Sequence, residues 1–509
     1  MARFHLSLRG DSLAAACLQA AVLGVAHAFS FAPWNLWWLQ LLALAALFAL
    51  ALRAPGARSA ATLVFAFGLG WFATGISWIY ISLHVYGQMW AWLAALATGV
   101  LAALLALFPA AALGLAHRFV PEPNVRLLLA FPAAWAASEW LRGVLFTGFP
   151  WLGSGYAHAD GPLAAYAPLV GVYGMALIAG VLAAALVAAL RFRSSQRAAL
   201  AGAALIATLL LGGLQLITVN WTQPSGKPIN VRLVQGNIPQ DQKFGPQSLE
   251  QAHEVYFPLL SRPGAIDLVA LPESVYPLPL SYLPNALTRD LVDFVRNRKT
   301  ALVFGIFIEE PERHFYNSAV ALAPDRQGAQ RYSKRHLVPF GEFIPFGFRW
   351  FVDLMQMPIG DQERGMRNPP PLDLAGQRVA VNICYEDLFG AEIIEAWHDP
   401  QHTPTILLNL SNLAWFDDSL ALPQHLQISR LRALETGRPM LRATNTGATA
   451  IIGAHGEVVK QLAFNTADVL DGEVQGYTGD TPFVNFGNLP TLGMVFLLLL
   501  AARWFGRRP

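Results

Sequence analysis

Cys384 ends the β-branched apolar run in Arg378-Val-Ala-Val-Asn-Ile-Cys-Tyr-Glu-Asp-Leu-Phe-Gly390, a pattern that predicts a buried strand delivering a thiol to a strand-to-helix turn. At such a turn the backbone N–H groups of the next helix favour thiolate over thiol and can hold a developing oxyanion. Glu386 and Asp387 then fall in that helix's first turn, where negative charge suits the dipole. The implied chemistry is nucleophilic attack by sulfur. Alone, the segment equally describes an inert core cysteine, the ordinary fate of a free thiol in a strand, so the reading depends on partners.

Two other segments supply them. In Asp267-Leu-Val-Ala-Leu-Pro-Glu-Ser274, Glu273 follows a buried run closed by a proline, a placement suited to a partly desolvated base, although a solvated loop glutamate has the same signature. In Tyr332-Ser-Lys-Arg-His-Leu-Val-Pro-Phe-Gly-Glu-Phe-Ile-Pro345, Lys334 and Glu342 flank a Pro-Phe-Gly bend. An ammonium near a thiol stabilises charge on sulfur and then on a tetrahedral oxyanion. No His-Glu-x-x-His or paired Cys-x-x-Cys spacing is present, so no metal is expected. A serine hydrolase lacks its Gly-x-Ser-x-Gly elbow. A Cys/His pair using His425 stays open on spacing, but it leaves Glu273 and Lys334 without a task.

The elements that must position these residues come in two textures. Of 509 residues, 54% are hydrophobic and 13% charged, too little polar surface to coat a soluble globule of that size, so part of the chain belongs in lipid. A net charge of +2, with no basic cluster interleaved with aromatics, argues against nucleic acid as a partner. Two cysteines, Cys17 and Cys384, offer no disulfide framework. Seven apolar stretches of spanning length come first, at about residues 11 to 28, 34 to 52, 60 to 82, 88 to 116, 125 to 142, 163 to 190 and 198 to 218, and an eighth, about 487 to 503, closes the chain. The first lacks a small-residue cleavage site and reads as a retained span. Arginines gather at alternate ends of successive spans: Arg3 and Arg9, Arg53 and Arg58, Arg118 and Arg126, Arg191, Arg193 and Arg197, then Arg503, Arg507 and Arg508. The positive-inside rule puts both termini in the cytoplasm. The expected division is a bundle over residues 1 to 219, an outer-side domain over 220 to 486, and a last span and tail over 487 to 509.

Glu139 and Arg142 sit one helical turn apart near the outer end of the fifth span, as a local pair or as something functional, since charge in lipid is expensive. The loop Phe146-Thr-Gly-Phe-Pro-Trp-Leu-Gly-Ser-Gly-Tyr156 follows, and Phe29-Ser-Phe-Ala-Pro-Trp34 shares its character; both suit an interfacial belt or a folded loop beside a lipid-accessible cleft. From about Asn230, short β-branched runs alternate with helical and Pro-rich stretches, which predicts an α/β domain. Its strands are expected at Asn230 to Gln235, Asp267 to Leu271, Ala301 to Ile308, Ser318 to Ala323, Arg378 to Cys384, Thr405 to Leu410, Met440 to Thr444, Thr449 to Ile452 and Val469 to Val474. Asn220-Trp-Thr-Gln-Pro-Ser-Gly-Lys-Pro228 reads as a turn-rich linker.

Pro-Glu-Ser, then Lys-Arg-His-Leu-Val-Pro-Phe-Gly-Glu, then Cys-Tyr-Glu-Asp, in that order, resemble the Glu, Lys and Cys motifs of the nitrilase, or carbon-nitrogen hydrolase, superfamily. With the spans around them, and with Gln235-Gly-Asn-Ile-Pro239, Asn409-Leu-Ser-Asn-Leu-Ala-Trp-Phe416, His425-Leu-Gln-Ile-Ser-Arg430 and Arg438-Pro-Met-Leu-Arg-Ala-Thr-Asn-Thr-Gly447, nearly the whole chain resembles the apolipoprotein N-acyltransferase family, the membrane-embedded branch of that superfamily. The resemblance implies an α-helical bundle of about eight spans in a bacterial inner membrane, joined to a periplasmic nitrilase-like αββα sandwich. It implies Cys384 as nucleophile toward the sn-1 acyl ester of a phospholipid such as phosphatidylethanolamine, Glu273 as general base, Lys334 as the charge on the tetrahedral intermediate, and Glu342, Tyr385 and Glu386 in support. The acyl chain then passes from a Cys thioester to the α-amine of the S-diacylglyceryl cysteine that begins an apolipoprotein, with no cofactor. Splitting the transfer into two steps suits sulfur, whose thioester reacts readily with an amine.

Where the family's pattern has a tryptophan shortly after Gln-Gly-Asn-Ile-Pro, this chain has Phe244. Lipid-anchored substrates also call for an apolar, mobile entrance. Its candidates are Trp415 and Phe416, the run from Phe343 through Phe346 to Phe348, and Phe146, Phe149, Trp151 and Tyr156; packing of domain on bundle is the alternative for all of them. Two other functions stay in view. A membrane-tethered amidase or nitrilase would share the three motifs, yet one span would tether it. A transporter with an outer regulatory domain would call for paired intramembrane acids or broken midplane helices in two similar halves, and the sequence has neither.

Overall fold

The computed structural model of the protein describes residues 10–191, 196–243, 247–311, 314–347, 349 and 361–507. Phe244 and Phe348, together with Arg3, Arg9, Arg193 and Arg508, lie outside the described residues. The chain divides into two compact units: Met1–Tyr80, Trp90–Asn220 and Phe486–Pro509 form one, and Ile81–Met89 with Trp221–Asn485 the other.

The first unit is helical because its sequence is rich in Ala and Leu, strong helix formers with no polar atom to satisfy. Its helices are α1 (Gly10–Ala28), α2 (Trp37–Arg53), α3 (Ala57–Gly75), α4 (Ala91–Phe119), α5 (Phe131–Val144), α6 (Ala167–Arg191), α7 (Gln196–Leu216) and a C-terminal helix, Leu489–Phe505. Each falls on one of the eight expected stretches, but the expectation of eight spans is not met by length. Among the described residues, α4 and the helix Pro162–Arg191 are long and apolar enough to cross a membrane, and α3 joins them only if counted with its bent continuation Ile79–Tyr86. Of the others, α2 and the C-terminal helix have 17 residues each, against roughly 20 for a crossing, α1 and α7 are apolar only over Leu13–Ala28 and Leu200–Leu216, and α5 carries Glu139 and Arg142 within 14 residues.

Helix α3 packs against both α1 and α4, and glycine sets the first of these spacings. A Cβ on Gly24 would lie 1.9 Å from the Phe67 main-chain oxygen, and one on Gly70 2.1 Å from that of Ala21. Small residues admit such backbone approach in lipid, where apolar burial between helices brings no gain. At the end of α5, charge is used to hold a loop. Glu139 accepts from the Ser154 backbone N–H at 2.8 Å and from its hydroxyl, while Arg142 donates to the carbonyls of Phe149 at 2.5 Å and Trp151 at 2.8 Å. The loop from Phe146 to Tyr156 is therefore folded onto its helix. Trp151 and Tyr156 are 3% and 1% exposed, which corrects their expected place at an entrance: they are packing residues of that loop.

The second unit holds two six-stranded sheets. The first contains β1 (Gln223–Gln235), β2 (Leu268–Ala270), β3 (Ala301–Glu310), β4 (His314–Leu322) and β5 (Gln330–Ser333), with β12 (Asp468–Thr478) at its far edge; the second contains β6 (Leu372–Leu374), β7 (Gln377–Ile383), β8 (Ile406–Ser411), β9 (Met440–Thr444), β10 (Ala450–Ile452) and β11 (Val458–Gln461). Each sheet is built round three parallel strands, β1-β2-β3 in one and β7-β8-β9 in the other, flanked by antiparallel partners. Alternate residues of these strands face one another across the sheets: Val231, Leu233, Leu268, Ala270 and Val303 share a core with Val379, Val381, Ile383, Leu408 and Leu410. The opposite faces are covered by helices. Ala252, Tyr256, Leu287 and Leu291, from helices Ser248–Leu260 and Asn285–Arg298, pack on Val234, Val269 and Leu302; Leu426 and Ala433, from helix Ala421–Thr436, pack near Ala380, Leu407 and Met440. This is the expected αββα sandwich.

All nine expected strands are present. The three unexpected ones, β5, β6 and β11, all lie at sheet edges, where a strand needs no continuous apolar run; β11 is exposed throughout. The supposed linker is also partly strand, since β1 begins at Gln223 and pairs with the end of β12.

The glycine contacts give a direct test of the bundle. Gly24→Ala or Gly70→Ala is expected to cost about 1 to 3 kcal/mol and to lower the midpoint of thermal unfolding in detergent. Gly99→Ala, with open space at its Cβ position, leaves the midpoint in place. Equal midpoints for all three would show that α1 and α3 do not meet through these glycines.

Candidate active site

Glu273 follows β2 on a turn laid across β3. Gly305 donates its N–H to the Pro272 carbonyl at 3.0 Å and accepts from Val275 at 2.9 Å, a crossing only glycine permits, because a Cβ there would fall 2.5 Å from Glu273 Cα. The glutamate is buried, which settles its choice between core and solvent. Its Oε1 accepts from Asn317 Nδ2 at 2.7 Å and from Lys334 Nζ at 3.4 Å, and its Oε2 from the Asn412 backbone N–H at 3.0 Å. Lys334, its side chain 1% exposed, reaches Glu342 Oε1 at 2.8 Å; Asn317 Nδ2 also donates to that oxygen at 3.1 Å, and Val338 N–H fills Glu342 Oε2 at 2.8 Å. One ammonium and one amide thus bridge two carboxylates.

The electrostatics follow from this enclosure. Burial by itself would raise the Glu273 pKa, but Lys334, the Asn317 amide, Lys243 and the Asn412 N–H outweigh it and hold the carboxyl below its ordinary range. At Lys334, burial pulls the pKa down, and Glu273, Glu342 and Cys384 more than reverse it. The ammonium is therefore fixed in its charged form.

Cys384 directly follows β7, is half-buried, and adopts φ +52°, a left-handed conformation that costs a non-glycine residue about 1 to 2 kcal/mol. Delivery of the thiol at a strand end agrees with the sequence reading; its ionisation does not. Cys384–Leu388 is one 3₁₀ turn rather than a helix with a strong dipole, and the Ile383 N–H before it is taken by Glu386 Oε2 at 2.7 Å. Burial, then the charges of Glu273, Glu342 and Asp387 acting against Lys334, push the Cys384 pKa up. The resting group is a thiol that needs a base.

His425 is not that base. Arg442 Nη2 lies 3.0 Å from His425 Nδ1, and since a guanidinium only donates, Nδ1 must accept, which puts the ring proton on Nε2. That proton faces Asp387 Oδ1 at 2.8 Å and the Cys384 main-chain oxygen at 3.2 Å. Burial, aided by Arg442, keeps the ring's pKa low despite Asp387. Asp387 in turn takes Arg442 Nη1 at 3.1 Å and the Ser429 hydroxyl. With Asn409 Nδ2 also donating to the Cys384 oxygen at 3.2 Å, this network holds the strained turn, and the Cys/His alternative left open by spacing is closed.

Glu386 fastens the lysine segment to the cysteine turn. Its Oε1 accepts from the N–H groups of Arg335 at 2.7 Å and His336 at 3.0 Å, and its Oε2 from Ile383 N–H and from the Tyr332 hydroxyl at 2.8 Å. Tyr385 meets the rings of His336 and Phe389. Among the expected entrance residues of this unit, Phe346 is fully exposed, Trp415 is exposed and set edge-on to Tyr86, Phe416 is half-buried, and half-buried Phe343 lies under the Arg364 guanidinium. Phe146, in the other unit, is 91% exposed, and Phe149 is half-buried. Sequence reasoning missed Asn317, Asn412, Arg442 and Lys243. Asn317 carried no local signal, Asn412 and Arg442 lay in family-like segments without a role read for them, and Lys243 stood out only as one of five lysines in the chain.

Residues 23–186 match the family described as apolipoprotein N-acyltransferase N-terminal domain, and residues 230–483 match carbon-nitrogen hydrolase. The chain is 51% identical over 486 residues to an apolipoprotein N-acyltransferase of Ralstonia nicotianae, covering 95% of this chain and 92% of that one. It is 45% identical over 530 residues to that of Bordetella bronchiseptica, with 96% of each covered, and 43% identical over 502 residues to that of Nitrosomonas europaea, with 96% and 98% covered.

All partners of Glu386 donate, so an amide in its place presents N–H groups to N–H groups. Glu386→Gln is expected to cost about 1 to 3 kcal/mol, read as a lower unfolding midpoint of the full chain in detergent. An unchanged midpoint would mean that Glu386 does not tie the two segments together.

Proposed function

We propose that this chain, which belongs to the apolipoprotein N-acyltransferase family, takes the sn-1 acyl chain of a phospholipid, phosphatidylethanolamine being the proposed donor, onto Cys384 and passes it to the α-amine of an S-diacylglyceryl cysteine at the start of an apolipoprotein. The observation that carries the mechanism is the buried Glu273-Lys334-Glu342 cluster, with Cys384 close enough to feel the charge of all three groups. The proposed setting is a bacterial inner membrane crossed about eight times, with Trp221–Asn485 on the periplasmic side.

In the first half-reaction the Cys384 proton moves to Glu273 as sulfur bonds to the ester carbonyl carbon, and Lys334 stabilises the oxyanion. The ester C–O bond then breaks, Glu273 returns the proton to the leaving alkoxide, and a lysophospholipid departs from the thioester. In the second, the amine nitrogen attacks the same carbonyl carbon, Glu273 takes one of its protons, the C–S bond breaks and the thiol is reprotonated by Glu273. Glu342 is assigned to holding Lys334, because its contact with the ammonium, 2.8 Å against 3.4 Å for Glu273, is the closer of the two. Exposed Phe346 and Trp415, with Phe416 and Phe343 beside them in sequence, are proposed to admit lipid chains and to shield the thioester from water.

Incubation with phospholipid and no acceptor is expected to leave an acyl adduct on the Cys384 peptide, detected by mass spectrometry, and none in Cys384→Ala. Acyl transfer to lipoprotein by the alanine variant would sink the thioester mechanism. Glu273→Gln and Lys334→Ala are expected to slow adduct formation by about 100-fold to 10000-fold; a normal rate in either removes that residue's role. Replacing Trp415 and Phe416 with alanine is expected to slow acylation by bilayer phospholipid while sparing a short water-soluble ester. Equal losses with both donors would return the two residues to packing.

A further inference from the structure

Of the five lysines in this chain, Lys227, Lys299 and Lys460 are exposed, while Lys334 and Lys243 are buried. Lys243 follows the short turn Gln240–Gln242, and its Nζ donates to the main-chain carbonyl of Glu273 at 3.2 Å. The turn is tied to the same loops as the base: Gln240 Oε1 accepts from Asn412 Nδ2 at 2.8 Å, and the Asn412 N–H bonds Glu273 Oε2. One bond to a neutral carbonyl does not repay the burial of an ammonium. The titratable groups that act on it are Glu273 and Cys384; Asp241, on its own turn, is exposed. Glu273 and Glu342 against Lys334 leave one negative charge uncompensated beside the thiol. A second cation, Lys243, balances the charges of these groups.

We infer that Lys243 is a positioning residue of the active site, a second cation that compensates the paired carboxylates and so eases the departure of the Cys384 proton. The inference rests on the reading of Cys384 as the attacking thiol. Burial brings the Lys243 pKa down to about 8, with Glu273 and Cys384 pulling the other way. The charge is thus present at neutral pH and is lost as the pH rises through that value.

The test is the rate of alkylation of Cys384 by iodoacetamide across a pH series in the full-length protein, read by mass spectrometry of the Cys384 peptide. Lys243→Met is expected to react about tenfold more slowly near neutrality, the size of a one-unit rise in the thiol pKa, and Lys243→Arg at the wild-type rate. Above about pH 8 the wild-type rate should climb less than about tenfold per pH unit as the lysine discharges, whereas the arginine variant keeps the full slope. Superposable profiles for the three proteins overturn the inference, since a lysine that only packs moves none of them. Should the methionine variant fail to fold, wild type against Lys243→Arg in the alkaline range decides alone, and coincident slopes overturn it. Alkylation needs no acyl donor, so this outcome is separable from the thioester mechanism, which an active Cys384→Ala would refute while leaving the profiles standing.

Discussion

The Lys334 ammonium, buried between Glu273 and Glu342, is the interaction on which the rest of the active site depends. An ammonium without solvent must be repaid by close opposite charge, and removing one partner of such a pair typically costs about 3 to 5 kcal/mol. The two contacts are unequal, 2.8 Å to Glu342 and 3.4 Å to Glu273. Glu342, whose other oxygen is filled by Val338 N–H, serves as the anchor. Glu273 keeps the looser contact and is the carboxylate whose proton affinity can be used. Asn317 repeats the same inequality in reverse, 2.7 Å to Glu273 and 3.1 Å to Glu342, so the amide orients the base while the ammonium is held by its neighbour.

That arrangement explains why the thiol is not ionised at rest. A cysteine beside a lone lysine would lose its proton, but here Lys334 is already committed to two carboxylates, and burial adds to their opposition. In the proposed mechanism sulfur becomes nucleophilic as its proton passes to Glu273, with an acyl carbonyl present to receive it. A preformed thiolate would be exposed to oxidation and to stray electrophiles. The strained turn at Cys384 is likewise maintained without added charge, because burial, aided by Arg442, keeps the pKa of the supporting ring, His425, low.

The sequence disclosed the parts of this site that sit at the ends of apolar strands. Glu273 and Cys384 each follow a run whose burial is legible from β-branched residues and prolines, Lys334 and Glu342 were legible from the segment around the Pro-Phe-Gly bend, and the runs gave an α/β domain whose αββα layering came from the family resemblance. Residues whose meaning comes from partners remote in sequence were hidden. Asn317 is one more residue in the middle of β4, and Arg442 one more in β9, until Glu273 and His425 are placed beside them. Edge strands escaped because they bury little. The bundle was legible by position but not by span length, since Ala-rich apolar runs mark helices without fixing where their ends fall. Trp151 and Tyr156 showed the opposite failure, where composition alone suggested an interface and the charged anchors Glu139 and Arg142 folded the loop inward.

Charge neutrality links the geometry to the two-step chemistry. Counting Lys243 with Lys334 against Glu273 and Glu342, these four groups carry no net charge, which lowers the cost of enclosing them. Proton transfer from Cys384 to Glu273 moves a negative charge from carboxylate to sulfur and then to the oxyanion without changing the sum. In the proposed two-step transfer, both tetrahedral intermediates thus meet the same positioned ammonium. A site in which charge is only relocated needs no bulk water to complete either step of the proposed transfer, and the same enclosure would let the proposed thioester wait for an amine.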